Sequence, residues 1–169
     1  EGSKRTLDDV RRQVEGYRCP LVEVTGGEPL LQEDVYPLME SLVAMGKTVL
    51  LETGGHRSIA RVPAEVVIVL DVKCPGSGES HRNCWENLAN VRRHDEVKFV
   101  VKDRADYEFA RDVISERSLS GRVAAIHLSP VHGVLDAKTL AEWVIADRLP
   151  VRVQLQLHKY IWSPDTRGV

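Results

Sequence analysis

Six short stretches hold most of the side chains able to bind a charged ligand or move a proton. They are Thr25-Gly26-Gly27-Glu28-Pro29, Glu52-Thr53-Gly54-Gly55, Asp71-Val72-Lys73-Cys74-Pro75, Lys102-Asp103, Ser129-Pro130-Val131-His132-Gly133 and Gln156-Leu157-His158-Lys159-Tyr160. Paired glycines let the backbone approach a ligand closely and turn its N–H and C=O groups outward. Glu28 adds a carboxylate able to hold an amino group. Glu52 and His158 are side-chain types that hydrogen-bond to a substrate and handle protons. No Gly-x-Gly-x-x-Gly and no phosphate-binding loop is present, which argues against a dinucleotide site.

Each stretch also has a plainer reading. A bare Gly-Gly-Glu-Pro suits a tight strand-to-helix turn, Glu52 a cap or an ion-pair partner, Lys73 a side chain reaching to solvent, and His158 a core histidine in an apolar strand. His127 and His132 lack a third ligand at metal spacing, so no metal site is read there. Trp85, Trp143 and Trp162 read as packing residues.

The elements that carry these stretches decide their weight. Short β-branched runs at Leu21 to Thr25, Thr48 to Thr53, Val66 to Val72, Val97 to Val101, Ala124 to Leu128 and Val151 to Leu157 read as strands. Between several of them lie helical stripes: Leu7, Val10 and Val14; Val35, Leu38, Leu42 and Val43; Phe109, Val113 and Ile114; Leu140, Trp143 and Val144. Thr6 with Asp8 and Asp9 marks a helix start, and Gly46 a helix end. Strands alternating with helices imply a mostly parallel sheet, as a barrel, part of a barrel or an open doubly wound sheet. In such folds the loops leaving the C-terminal strand ends converge on one face, and all six polar stretches fall there.

With 169 residues, 43% hydrophobic and 28% charged, the chain suits one soluble domain over 1–169. A net charge of −2 with scattered basic residues gives no footprint for nucleic acid. No apolar run is long enough to span a bilayer and no signal peptide is evident, so a cytoplasmic location is expected. Cys19, Cys74 and Cys84 form neither a disulfide framework nor a zinc ribbon and read as small buried or half-buried thiols.

Val22-Glu23-Val24-Thr25-Gly26-Gly27-Glu28-Pro29-Leu30-Leu31 resembles the radical S-adenosylmethionine superfamily, in which the Gly-Gly-Glu-Pro turn binds the aminocarboxylate of S-adenosyl-L-methionine. The ending Gln154-Leu155-Gln156-Leu157-His158-Lys159-Tyr160-Ile161-Trp162, closing on Arg167-Gly168-Val169, is similar to that of the 7-carboxy-7-deazaguanine synthases. The resemblance runs along the whole chain in order. It implies a partial parallel β/α barrel whose first strand is missing, and a lyase of queuosine biosynthesis. Such a lyase converts 6-carboxy-5,6,7,8-tetrahydropterin to 7-carboxy-7-deazaguanine with loss of ammonia.

By the same resemblance Thr25, Glu52 and His158, with Pro164 or the terminal carboxylate of Val169, lie by the pterin. Gly26, Gly27, Glu28, Asp71, Lys73, Ser129, Pro130, Val131 and His132 line the S-adenosylmethionine site. Asp71 stands where relatives often have Ser, and of the segment often reading Gln-Pro-x-Asp only Pro130 matches. Glu52 and His158 are the candidates for proton handling. A reductant such as flavodoxin or ferredoxin and a homodimeric state are further implications.

The superfamily holds a four-iron, four-sulfur (4Fe-4S) cluster on three closely spaced cysteines, most often Cys-x-x-x-Cys-x-x-Cys, and this spacing is absent here although Cys74 stands at the rim. Glu1 to Thr6 resembles the stretch just after that loop. The first strand, the cluster loop and a threonine that helps hold magnesium (Mg2+) are therefore expected upstream, and the chain alone is expected to be inactive. Two alternatives stay open: a non-catalytic remnant or binding module that kept the cleft, and a glycyl-radical-activating enzyme.

Overall fold

The computed structural model describes residues 3–164 and 166. Six strands follow one another: β1 (Leu21–Val24), β2 (Thr48–Thr53), β3 (Val67–Val72), β4 (Glu96–Val101), β5 (Ala125–Pro130) and β6 (Arg152–Val153). All neighbours are parallel and the spatial order is the chain order. A doubly wound sheet reverses its order at a switch point. This one does not, so its right-handed crossovers stack the helices on one face and bend the sheet into an arc. Among the described residues β1 and β6 each have one neighbour, and the arc is open.

The helices are α1 (Leu7–Tyr17), α2 (Val35–Ala44), α3 (Asn87–Asn90), α4 (Arg104–Glu116), α5 (Ala137–Ala146) and α6 (His158–Ile161). The expected helix start is a full capping box: the Thr6 side chain accepts from Asp9 N, and the Asp9 carboxylate accepts from Thr6 N. Hydrogen bonds, first from the Thr6 side chain and then from Arg12, hold the Asp9 carboxyl at about 2. Helix α2 ends as expected before Gly46, which has a φ of 74°.

Alternation along the strands sorts the two faces of the sheet. Val49, Leu51, Ile68, Leu70, Phe99, Ile126 and Leu128 join Met39, Leu42, Tyr107, Ile114 and Leu140 in one core between sheet and helices. The intervening residues face the concave side. No helix crosses over between β2 and β3; buried Ile59, Val62 and Val66 cover that stretch of the core instead.

The last strand is much shorter than the run Val151 to Leu157 predicts. Gln154 N still donates to Leu128 O at 2.9 Å. The next rung would need an N–H from Pro130, which has none, so the ladder stops. Residues 154–157 continue as coil, and His158 opens a short exposed helix instead of sitting in an apolar strand.

Arg92 and Asp95 clamp the lower ends of β3 and β4. The Asp95 carboxylate, fully buried, accepts from Ile68 N at 2.9 Å, from Arg92 N at 2.7 Å and from Arg92 Nε at 2.9 Å. Removing one member of a buried pair leaves its partners unsatisfied. Asp95→Ala is expected to lower stability by about 3–5 kcal/mol in urea unfolding; a loss within error of zero would mean the clamp is not structural.

Candidate active site

The turn after β1 is built around a buried carboxylate. Glu28 is 8% exposed. Its Oε1 accepts from Leu30 N at 3.0 Å and from the Thr53 hydroxyl at 2.8 Å, while Oε2 accepts from Gly54 N at 3.0 Å. The expectation that Glu28 offers its carboxylate to a ligand amino group therefore needs revising. The side chain ties the turn to the end of β2.

Gly26 and Gly27 have φ of 98° and 62°, are exposed, and have nothing within 4 Å of where a Cβ would stand. Two left-handed residues with open space above them form a cradle of backbone groups that only glycine adopts without strain. The turn thus leaves room for a small charged ligand group against its backbone.

The loops beyond β2 and β3 are held by side chains acting as backbone partners. Asn87 accepts from Ile59 N and donates to Gly55 O and Arg57 O. Asn83 accepts from Lys73 N and donates to Lys73 O. Asp106 accepts from Gly76 N at 2.7 Å and from Lys102 N at 3.0 Å, joining the exits of β3 and β4. Lys73 Nζ lies 2.6 Å from Asp71 Oδ2, and Asp71 Oδ1 is buried with no partner. At a position facing the rim, that oxygen is an open acceptor.

On the concave face the structure gathers Glu52, Ser129 and His158 around a cavity of about 570 Å3, closed on one side by the 154–157 coil. Glu52 Oε1 accepts from Lys98 Nζ at 2.7 Å, and Oε2 accepts from the Thr25 hydroxyl at 3.3 Å. Burial alone would raise the Glu52 carboxyl, but Lys98, then Thr25 and Lys73, bring it below the ordinary glutamate range. Glu52 is therefore an ionised anchor. His158 is exposed at the cavity mouth.

Other expected site residues are more scattered. Pro130 is buried in β5, Val131 N donates to Val101 O, and His132 packs edge-on against Tyr160 with ring centroids 5.3 Å apart. His132 thus links the rim to α6. Pro164 is exposed in the tail, while Arg167, Gly168 and Val169, with the terminal carboxylate, lie outside the described residues. The reading of all three tryptophans as packing residues holds for Trp85, against Phe109, and for Trp143, against Tyr107. Trp162 is instead 47% exposed.

Sequence reasoning missed Glu23, Glu96 and Lys98. Period-two alternation would have found them, since Glu23 shares a strand face with Thr25, and Glu96 with Lys98.

The cysteines do not fit an iron–sulfur cluster. Cys19 is exposed before β1, Cys84 donates to Glu86, and Cys74, expected at the rim, is 1% exposed within the core. Burial and then the charge of Asp106 push its thiol well up. Among the described residues no group of three His, Cys, Asp or Glu side chains could hold a metal ion. No helix there is long and apolar enough to cross a membrane.

Six sequential parallel strands with their helices on one face and a glycine turn at the rim define a β/α fold of the part-barrel class. Solved structures agree: QueE from Escherichia coli matches with a TM-score of 0.71 at 21% identity, over 90% of this chain and 64% of that one. SuiB from Streptococcus suis bound to S-adenosylmethionine matches with a TM-score of 0.69 at 13% identity, over 92% of this chain and 44% of that one. No family model matches the chain. Whole-chain relatives are more specific. The 7-carboxy-7-deazaguanine synthase of Koribacter versatilis is 46% identical over 99% of this chain and 80% of its own length. That of Chlorobaculum tepidum is 44% identical over 99% and 77%. The chain belongs to the 7-carboxy-7-deazaguanine synthase family.

Lys98 sets the state of Glu52. In Lys98→Met, burial dominates and the Glu52 carboxyl is expected to titrate above the ordinary glutamate range, read by carboxyl-carbon NMR. With Lys98 present the folded value lies below the unfolded one, so the pair's stabilisation is full at neutral pH. It fades as pH falls through the folded value. A Glu52 titration unchanged in Lys98→Met would show that the ion pair does not govern it.

Proposed function

We propose that this chain carries the pterin and S-adenosylmethionine sites of a 7-carboxy-7-deazaguanine synthase. Such an enzyme contracts 6-carboxy-5,6,7,8-tetrahydropterin to 7-carboxy-7-deazaguanine with loss of ammonia. The observation that carries this reading is one shared geometry: the Gly26–Gly27 cradle at the rim and, one hydrogen bond away through Thr25, the Glu52–Lys98 pair in the concave cavity. Family membership supports it at 46% identity.

S-adenosylmethionine, when bound, would supply the adenosyl group that abstracts hydrogen from the substrate. The described residues offer an iron–sulfur cluster no ligands, and the roles below concern this chain's own groups. The Gly26–Gly27 backbone would hold the methionyl end, with Lys73 and the open oxygen of Asp71 on the neighbouring strand exit. Ser129 through His132 would flank it. Thr25 and Glu52 would orient the pterin from the strand side, and His158 and Pro164 from the tail. Fixing the reacting carbon against the adenosyl group is the protein's main contribution to rate. His158, at the cavity mouth, would handle protons near the pterin. A flavodoxin- or ferredoxin-type reductant, a homodimeric state and a cytoplasmic location complete the reading.

The second reading is a binding module that holds ligand without chemistry. One experiment addresses both. A form of the protein carrying an upstream cysteine triplet, reconstituted without oxygen, is expected to make 7-carboxy-7-deazaguanine. Glu52→Ala and His158→Ala are each expected to lower turnover by roughly a hundredfold or more. Near-normal turnover in either variant would remove that residue from the mechanism. No product from the reconstituted form, together with S-adenosylmethionine binding to the 169-residue chain in calorimetry, would favour the module.

A further inference from the structure

Three carboxylates border the concave cavity, and two of them are taken. Glu52 is held by Lys98 and Thr25, and Glu96 Oε2 lies 2.8 Å from His127 Nε2. The third, Glu23, sits two residues before Thr25 and lines the same cavity, and no hydrogen bond or ion pair engages it among the described residues. Partial withdrawal from water, and then the neighbouring charge of Glu52, raise its carboxyl, with Lys98 acting in the opposite sense. Such a carboxylate gains from any donor brought to it.

The other donors on the lining, Ser129, Gln154, Gln156 and His158, come from β5 and the chain after β6, at the far end of the strand order from Glu23. Gln156 Oε1, on the covering coil, is buried without a partner, and Lys98 is already committed to Glu52. Ser129, 1% exposed, is the polar group of β5 that borders the cavity. Leu50, the register partner of Glu23, and Val69 supply apolar surface between the charged groups. A flat heterocycle that presents paired N–H groups suits the Glu23 side of this lining. One that presents paired acceptors meets carboxylates and is repelled.

A pterin has such an edge. The exocyclic 2-amino group and the N3–H of its aminopyrimidinone ring are parallel donors, spaced to meet both oxygens of one carboxylate. We propose that Glu23 is the specificity residue of the cavity, accepting both of these hydrogen bonds. This orients the ring system with its donor edge against β1 and its carboxylate away from the acidic wall. The Lys98–Glu52 pair stays intact beside it. The assignment rests on the pterin reading above and adds to it the residue that distinguishes a 2-amino from a 2-oxo ring.

Equilibrium binding to the full chain tests this, with 6-carboxypterin and 6-carboxylumazine as probes. In the lumazine a carbonyl replaces the amino group, so an acceptor replaces a donor. The wild-type chain is expected to prefer the pterin by roughly ten- to a hundredfold, the usual range for a hydrogen bond to a charged group. Glu23→Gln should bring that preference close to unity, and Glu23→Asp, which keeps the charge on a shorter arm, should retain part of it. If Glu23→Gln does not fold, loss of most of the preference in Glu23→Asp still supports the proposal, and full retention overturns it. A preference that survives in a folded Glu23→Gln removes Glu23 as the reader while leaving the pterin reading in place. Equal binding of both probes by the wild-type chain, or binding of neither, overturns both together.

Discussion

Burying the Glu28 carboxylate is tolerable only because donors from three places surround it: Leu30 N in its own turn, and the Thr53 hydroxyl and Gly54 N at the end of the next strand. An unpaired buried charge would cost several kcal/mol, so the turn after β1 and the exit of β2 hold one relative position. The glycine cradle stays open because Glu28 fixes the chain on its far side. The Thr25 hydroxyl, on the near side, is thereby set where it can reach Glu52. Rim and cavity share one anchor.

The concave face follows a different logic. Its polar groups come from alternate positions of central strands, where water access is limited, and they pair with one another across strands: Lys98 with Glu52, His127 with Glu96. Pairs of this kind contribute little to net stability once desolvation is counted. Their value is positional. Each fixes the rotamers of two long side chains, so a ligand meets a wall that is already ordered, and the groups left unpaired stand out from that background.

Much of this was legible in the residues. Five of the six strands lie within one or two residues of where β-branched runs place them, and the Thr6 cap and Gly46 stop mark α1 and α2 correctly. The rim was legible too, because parallel topology sends every strand exit to one side. Two kinds of information were not. The β6 segment reads as a strand by composition, and only knowing that Pro130 is its neighbour explains why it ends after Val153. Glu28 reads as a ligand group by type; its burial depends on Thr53 and Gly54, which lie 25 and 26 residues away. Cys74, read as a buried or half-buried thiol, is buried although it follows a strand exit, since its direction is set by packing. The whole-chain family resemblance compensated for part of this, because it carries long-range information that local pattern lacks.

The stop imposed by Pro130 reaches beyond the ladder itself. The segment that closes the cavity is attached to the sheet by one short pairing and then runs free of it, so its length is not dictated by strand register. Residues can be gained or lost there without displacing any rung of the sheet or any group on the rim. Within one architecture the wall that covers the cavity therefore takes its shape from the chain's own course and not from the register of the sheet beneath it.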